Sequence, residues 1–160
     1  MPWAVCAGQS VSRHRVNSGQ TEQMVVPALM TVVTAEGTLE QWHLALSALA
    51  SRGHRLVLES PSEVEWTAEA SDVFECLMVL RQQLEPEGVR LCCYGSRRDA
   101  WASGMQRDMG SGLSTYLLGA VAEGERPPSV PTLDFAPPEL VVSRDDQMEW
   151  HREWLRSRGA

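Results

Sequence analysis

The chain has 160 residues, with 14 basic and 21 acidic side chains and a net charge of −7. That length accommodates one domain with a real core, so folding requires neither disulfides nor a metal. The acidic balance argues against tracking a phosphate backbone, and no apolar run reaches the roughly 18 residues of a membrane span. Nucleic acid and membrane are therefore set aside as partners. Every basic residue is Arg, which GC-rich coding explains. The cysteines are Cys6, Cys76, Cys92 and Cys93, with no CxxC spacing and no second Cys/His cluster. No zinc site and no cofactor are expected, and the thiols read as free in a reducing cytoplasm.

Residues 1–24 hold Gly, Pro, Ser and Gln without periodicity and read as an irregular segment ahead of a single domain over 25–160. Met24 and Met30 are both candidate starts, which would make that segment a start-site artefact. Residues 28–34 are apolar and β-branched, and Glu36-Gly37 closes them as a turn, which predicts a strand. Leu39, Trp42, Leu46 and Leu49 then fall on one helical stripe. Thr38 stands as the cap, Gln41 as its capping-box partner and Gly53 as the stop, so the pattern predicts a helix over 39–52. His54–Glu59 and residues 63–68 predict a hairpin around Ser60-Pro61-Ser62. Ser71 or Asp72 caps a second helix to Glu85, striped by Val73, Leu77, Leu80 and Leu84 and ended by Pro86 and Gly88. Residues 89–94 form the next strand, on which Cys92 and Cys93 point to opposite faces.

The order β-α-β-β-α-β predicts a ferredoxin-like, two-layer α+β sandwich with both helices on one face of an antiparallel sheet. Its expected core is Trp42, Leu46, Leu49, Leu56, Leu58, Phe74, Leu77, Leu80, Leu91 and Cys93. Beyond it lie a loop at 95–112, an extra edge strand at 113–118, a Pro-rich strap at 123–138 and a C-terminal helix at 145–157. Ser143 would cap that helix, and Trp150 and Trp154 within it are expected to dock on the body. Pro128-Ser129-Val130-Pro131 matches PxxP formally but reads as part of an extended strap.

The 95–112 stretch is the candidate site. Long structureless loops are uncommon in compact domains and tend to be functional. Three Arg against two Asp give it a formal +1, whereas residues 31–94 carry four Arg and ten acids, or −6. Its Gly and Ser amides and Arg forks suit a small anion or a partner surface. The candidate binding residues are Arg97, Arg98, Asp99, Trp101, Ser103, Arg107 and Asp108, with Trp101, Met105 and Met109 anchoring the loop to the body. The bland reading is self-pairing, Arg98 and Asp99 with Arg107 and Asp108. The glycine spacing matches neither GxxxxGK[ST] nor GxGxxG. No catalytic residue is assigned: Ser103 has Asp99 and Asp108 near it but no His in the loop, so a triad would need His54 or His151 from elsewhere. His151 reads as packing. The run through Gly95, Arg97-Arg98-Asp99, Trp101, Ser103-Gly104-Met105 and Arg107-Asp108-Met109-Gly110 resembles segments of bacterial proteins of unknown function. That resemblance covers residues 91–118 and implies no activity.

The resulting expectation is a small acidic cytoplasmic binding or regulatory protein, of the immunity type, acting on another protein and without chemistry of its own. The alternative is a small-molecule enzyme or sensor that holds an anionic ligand at the loop. Arginines converging without acidic partners would favour the ligand; closed Arg–Asp pairs would favour scaffolding.

Overall fold

The computed structural model describes residues 28–159 and the backbone of Gln23–Met24. The irregular segment expected over 1–24 lies outside the described residues except for that pair, which forms a two-residue strand, β1. The architecture is α+β. Strands β2 (Ala28–Val33), β3 (Leu39–Ala48), β4 (His54–Glu59) and β5 (Glu65–Ala70) form an antiparallel meander. Helix α1 (Val73–Leu84) then crosses back over the sheet, and β6 (Arg90–Leu91) pairs antiparallel with β2. The strand order is β5-β4-β3-β2-β6, with β1 beside β3.

This order is not the ferredoxin-like one, because the helix expected over 39–52 is strand β3. Trp42, Leu44 and Leu46 satisfy a period of two as well as part of a helical stripe. Pairing decides between the two periods. Met30 lies opposite Trp42, Leu44 opposite Leu58 and Leu46 opposite Leu56, so the middle of one face of the three strands is apolar. Leu39, which a helix would have buried, is 59 % exposed. A helix here would also have removed the backbone partners of both β2 and β4. Thr38 does not cap a helix; its hydroxyl meets that of Thr34 at 2.6 Å across the β2–β3 turn, where Gly37 takes a φ of +83°. Leu46 and Leu49 are only partly buried as a result.

The α1 layer formed as the sequence indicates. Asp72 Oδ1 accepts the Glu75 N–H at 2.9 Å, and Pro86 and the left-handed Gly88 (φ +78°) end the segment through a 3-10 turn. Cys76, Leu77, Leu80 and Leu84 pack onto Met30, Val32, Trp42, Leu44, Leu56, Leu58, Leu91 and Cys93. Across β4, Trp42 and Trp66 stack at 5.2 Å. Cys92 points the other way and packs with Val33, Tyr94, Ala136 and Val141, so the far face of the sheet is covered at its β6 corner.

The second half of the chain builds a separate small sheet. Strands β7 (Ala100–Trp101), β8 (Ser114–Leu117) and β9 (Ser129–Pro131) pair antiparallel, with helix α2 (Gly104–Asp108) between β7 and β8. The strand expected at 113–118 is therefore the middle of this second sheet and not an edge of the first. Three of the four residues of the PxxP match, Ser129–Pro131, form β9, paired with β8. Helix α3 (Arg144–Ser157) follows, with Ser143 Oγ accepting the Asp146 N–H at 3.1 Å. No helix among the described residues is long and apolar enough to cross a membrane.

A polar hub joins the halves. Arg81 is 1 % exposed and flanks the apolar stripe of α1. Its Nη1 donates to Gln147 Oε1, its Nη2 to the Val142 carbonyl at 2.7 Å and its Nε to Glu85 Oε1 at 3.1 Å. Gln147 in turn donates to the carbonyls of Gly95 (2.9 Å) and Ala100 (2.7 Å). Both oxygens of Glu85 accept the Arg144 N–H at 2.9 Å, placing a carboxylate at the α3 N-terminus, where the helix dipole favours it. Burial lowers the Arg81 pKa and Glu85 opposes that shift. A guanidinium stays protonated in either case.

Candidate functional site

The 95–112 segment is folded rather than structureless, and both of its ends are glycines pressed against α1. A Cβ at Gly95 would run into the side chains of Leu77 and Thr132. Gly112 has a φ of +67°, and a Cβ there would lie 2.6 Å from Asp72 Oδ1 and 2.7 Å from the Phe74 nitrogen. The Ser111 carbonyl accepts the Val73 N–H at 2.8 Å, so the loop closes on the α1 N-terminus.

Each candidate residue then finds a specific place. Arg97 grips Asp99 with two bonds, Nε to Oδ1 at 2.9 Å and Nη2 to Oδ2 at 3.0 Å. Arg107 reaches out of the loop to α1, bonding Asp72 Oδ2 at 3.0 Å and Glu75 Oε2 at 2.7 Å, with its guanidinium 5.7 Å from the Phe74 ring centre. The expected pairing of Arg98 and Asp99 with Arg107 and Asp108 is thus replaced by these two closed pairs. Arg98 and Asp108 are exposed and have no hydrogen-bond or ion-pair partner among the described residues. The Ser103 hydroxyl caps α2. It accepts the Gln106 N–H while the Gln106 side chain accepts the Ser103 N–H at 2.9 Å, a complete capping box for α2.

Trp101 anchors the loop. Its ring meets Phe74 edge-on at 5.3 Å and lies 3.9 Å from His151, the two rings within 8° of parallel. His151 continues the stack to Trp154, over which Arg158 sits at 5.0 Å. Residues 147, 151 and 154 are one face of α3, so a single helical stripe carries the hub and the ring stack. Burial lowers the His151 pKa. The methionines do not anchor as expected: Met105 and Met109 are 73 % and 84 % exposed. Met105 is on α2 and Met109 is its C-cap one turn on, the Met109 N–H bonded to the Met105 carbonyl at 2.9 Å.

The fold also changes the charge of the segment. Adding the carboxylates of Asp72 and Glu75, which Arg107 holds, turns three Arg and two Asp into three Arg and four acids, or −1. Sequence reasoning missed Arg81 and Gln147 entirely. Arg81 is four residues from both Leu77 and Glu85, which makes it a neighbour of the α1 stripe and an i,i+4 ion partner; that spacing was the available signal. No known family model matches the chain, and no curated protein is significantly similar to it.

Two consequences are measurable. Arg107→Ala leaves the nearly buried Asp72 carboxylate short of a partner and is expected to cost about 1–3 kcal/mol, whereas Arg98→Ala is expected to change stability by under about 0.5 kcal/mol in the same denaturant titration. The native His151 ring gives up its proton more readily than the unfolded one. The unfolded chain therefore binds more protons below about pH 6.5, and stability falls as the pH drops from there. Thermal unfolding from pH 7.5 to 5 reads this loss, and His151→Phe, which keeps a ring in the stack, is expected to flatten it.

Proposed function

We propose that the chain is an acidic cytoplasmic binding protein, an immunity-type or regulatory member of a bacterial gene pair, that docks on another protein through the α2 tip. The observation that carries this reading is the exposure of Met105 and Met109 side by side on a segment whose capping box, arginine tether and glycine contacts hold it in place without them. Flexible, polarizable methionines on a rigid mount are suited to filling an apolar pocket in a partner. Asp108 between them, the −1 of the surrounding segment and the −7 of the whole chain select a partner with a basic rim. The buried thiols Cys76, Cys92 and Cys93 suit a reducing compartment. The anion-binding alternative is left with Arg98, since Arg97 and Arg107 already hold carboxylates.

The test is site-specific photocrosslinking in the native host from position 109, with position 39 on the main sheet as the control. A discrete adduct from 109 and none from 39 is expected. The protein so identified, once purified, should bind the Met105→Ser/Met109→Ser variant at least about ten-fold more weakly, the change expected when anchoring side chains leave an interface core. Equal binding by the variant would refute the reading.

A further inference from the structure

We infer that Met105 and Met109 form a reversible oxidation site, at which a peroxide converts the apolar α2 tip to a polar one without disturbing the fold. The inference rests on the docking reading for its purpose, but its chemistry stands on the distribution of the thioethers. Among the described side chains, Met30 and Met78 are 2 % and 4 % exposed and lie in packed clusters, and Met148 is partly buried against Phe74, Met78 and Ala102. Among the described methionines, Met105 and Met109 stand alone in being open to solvent.

Position separates their roles as well as their rates. The Met78 sulfur is within 3.6 Å of Arg81 Nη1, so an oxygen added there would push into the hub. The tip carries no such penalty. The Ser103–Gln106 capping box and the Arg107 bonds to Asp72 and Glu75 hold α2, and neither uses a methionine side chain. The two sulfurs share one helical face a turn apart, so both would change the same small patch.

In the step itself a sulfur lone pair attacks one oxygen of hydrogen peroxide. The O–O bond breaks, an S=O bond forms, and the other oxygen leaves as water after proton transfer. Sulfur is oxidised and peroxide is reduced. A dithiol-dependent sulfoxide reductase reverses it, returning the oxygen as water and the dithiol as a disulfide. The product is a polar, chiral sulfoxide where the docking reading requires an apolar knob.

Limiting hydrogen peroxide, peptide mapping by mass spectrometry and retention on a phenyl column test this on the full chain. Sulfoxide at 105 and 109 is expected to form at least about ten-fold faster than at 30 and 78, in keeping with the dependence of oxidation on exposure. Retention should fall in step, recover after treatment with a sulfoxide reductase, and stay unchanged by peroxide in Met105→Leu/Met109→Leu, while the melting temperature of the oxidised protein stays that of the reduced one. Comparable oxidation at Met78, a fall in melting temperature, or an equal retention loss in the leucine variant would overturn the oxidation site and leave the docking surface standing. A partner that crosslinks at 109 and binds oxidised and reduced protein equally would overturn the switch alone.

Discussion

A single buried cation sets how this chain is put together. Arg81 sits on α1, an element belonging to the first half of the sequence, yet its guanidinium bonds reach the Val142 carbonyl and the Gln147 side chain, both from the last quarter. Taking a guanidinium out of water costs several kcal/mol, and the cost is offset only if its donors are met with good geometry. Here Glu85, Gln147 and Val142 meet them, and Glu85 and Gln147 pass the bonding on to Arg144, Gly95 and Ala100. Each member is held by another, so removing one strands a buried polar group instead of losing one contact.

The hub also determines what the second half presents. Gly95 and Gly112 bring both ends of the 95–112 segment onto α1, and the Trp101–His151 stack ties its middle to α3. Two of the three arginines that make the segment basic in isolation are taken up in ion pairs, and Arg98 stays exposed. Arg97 closes on Asp99, and Arg107 closes on the α1 cap. Left outside are Arg98, Asp108 and an apolar pair, Met105 on α2 and Met109 at its C-cap. Chemistry that suggested an anion site at the level of composition becomes, after folding, a rigid mount for an exposed thioether pair.

How much of this was legible in the sequence differs by element, for physical reasons. Helix α1 and helix α3 were placed within a residue or two because their caps, Asp72 and Ser143, act locally and do not depend on distant partners. Strands β2 and β4 were legible from β-branched and apolar alternation. Strand β3 was not: Trp42 and Leu46 fit two periods, and the choice between them is made by strands β2 and β4 on either side, which no local window contains. The role of the 95–112 segment was hidden for a similar reason. Asp72 and Glu75 were legible as α1 cap residues, but their second role as the anchors of Arg107 exists only once residues more than 30 positions apart meet. The order of the strands, and with it the departure from a ferredoxin-like topology, follows from β3 alone.

The claim that Arg81 fastens the second half to the first is tested most directly by native-state hydrogen exchange on Arg81→Lys, a change that keeps the charge but loses the fork. The account predicts that amides of β7, the start of α3 and the segment around Gly95 lose protection together, while those of β3 and β4 keep theirs. Uniform loss across both sheets, or unchanged protection around Gln147, would contradict it.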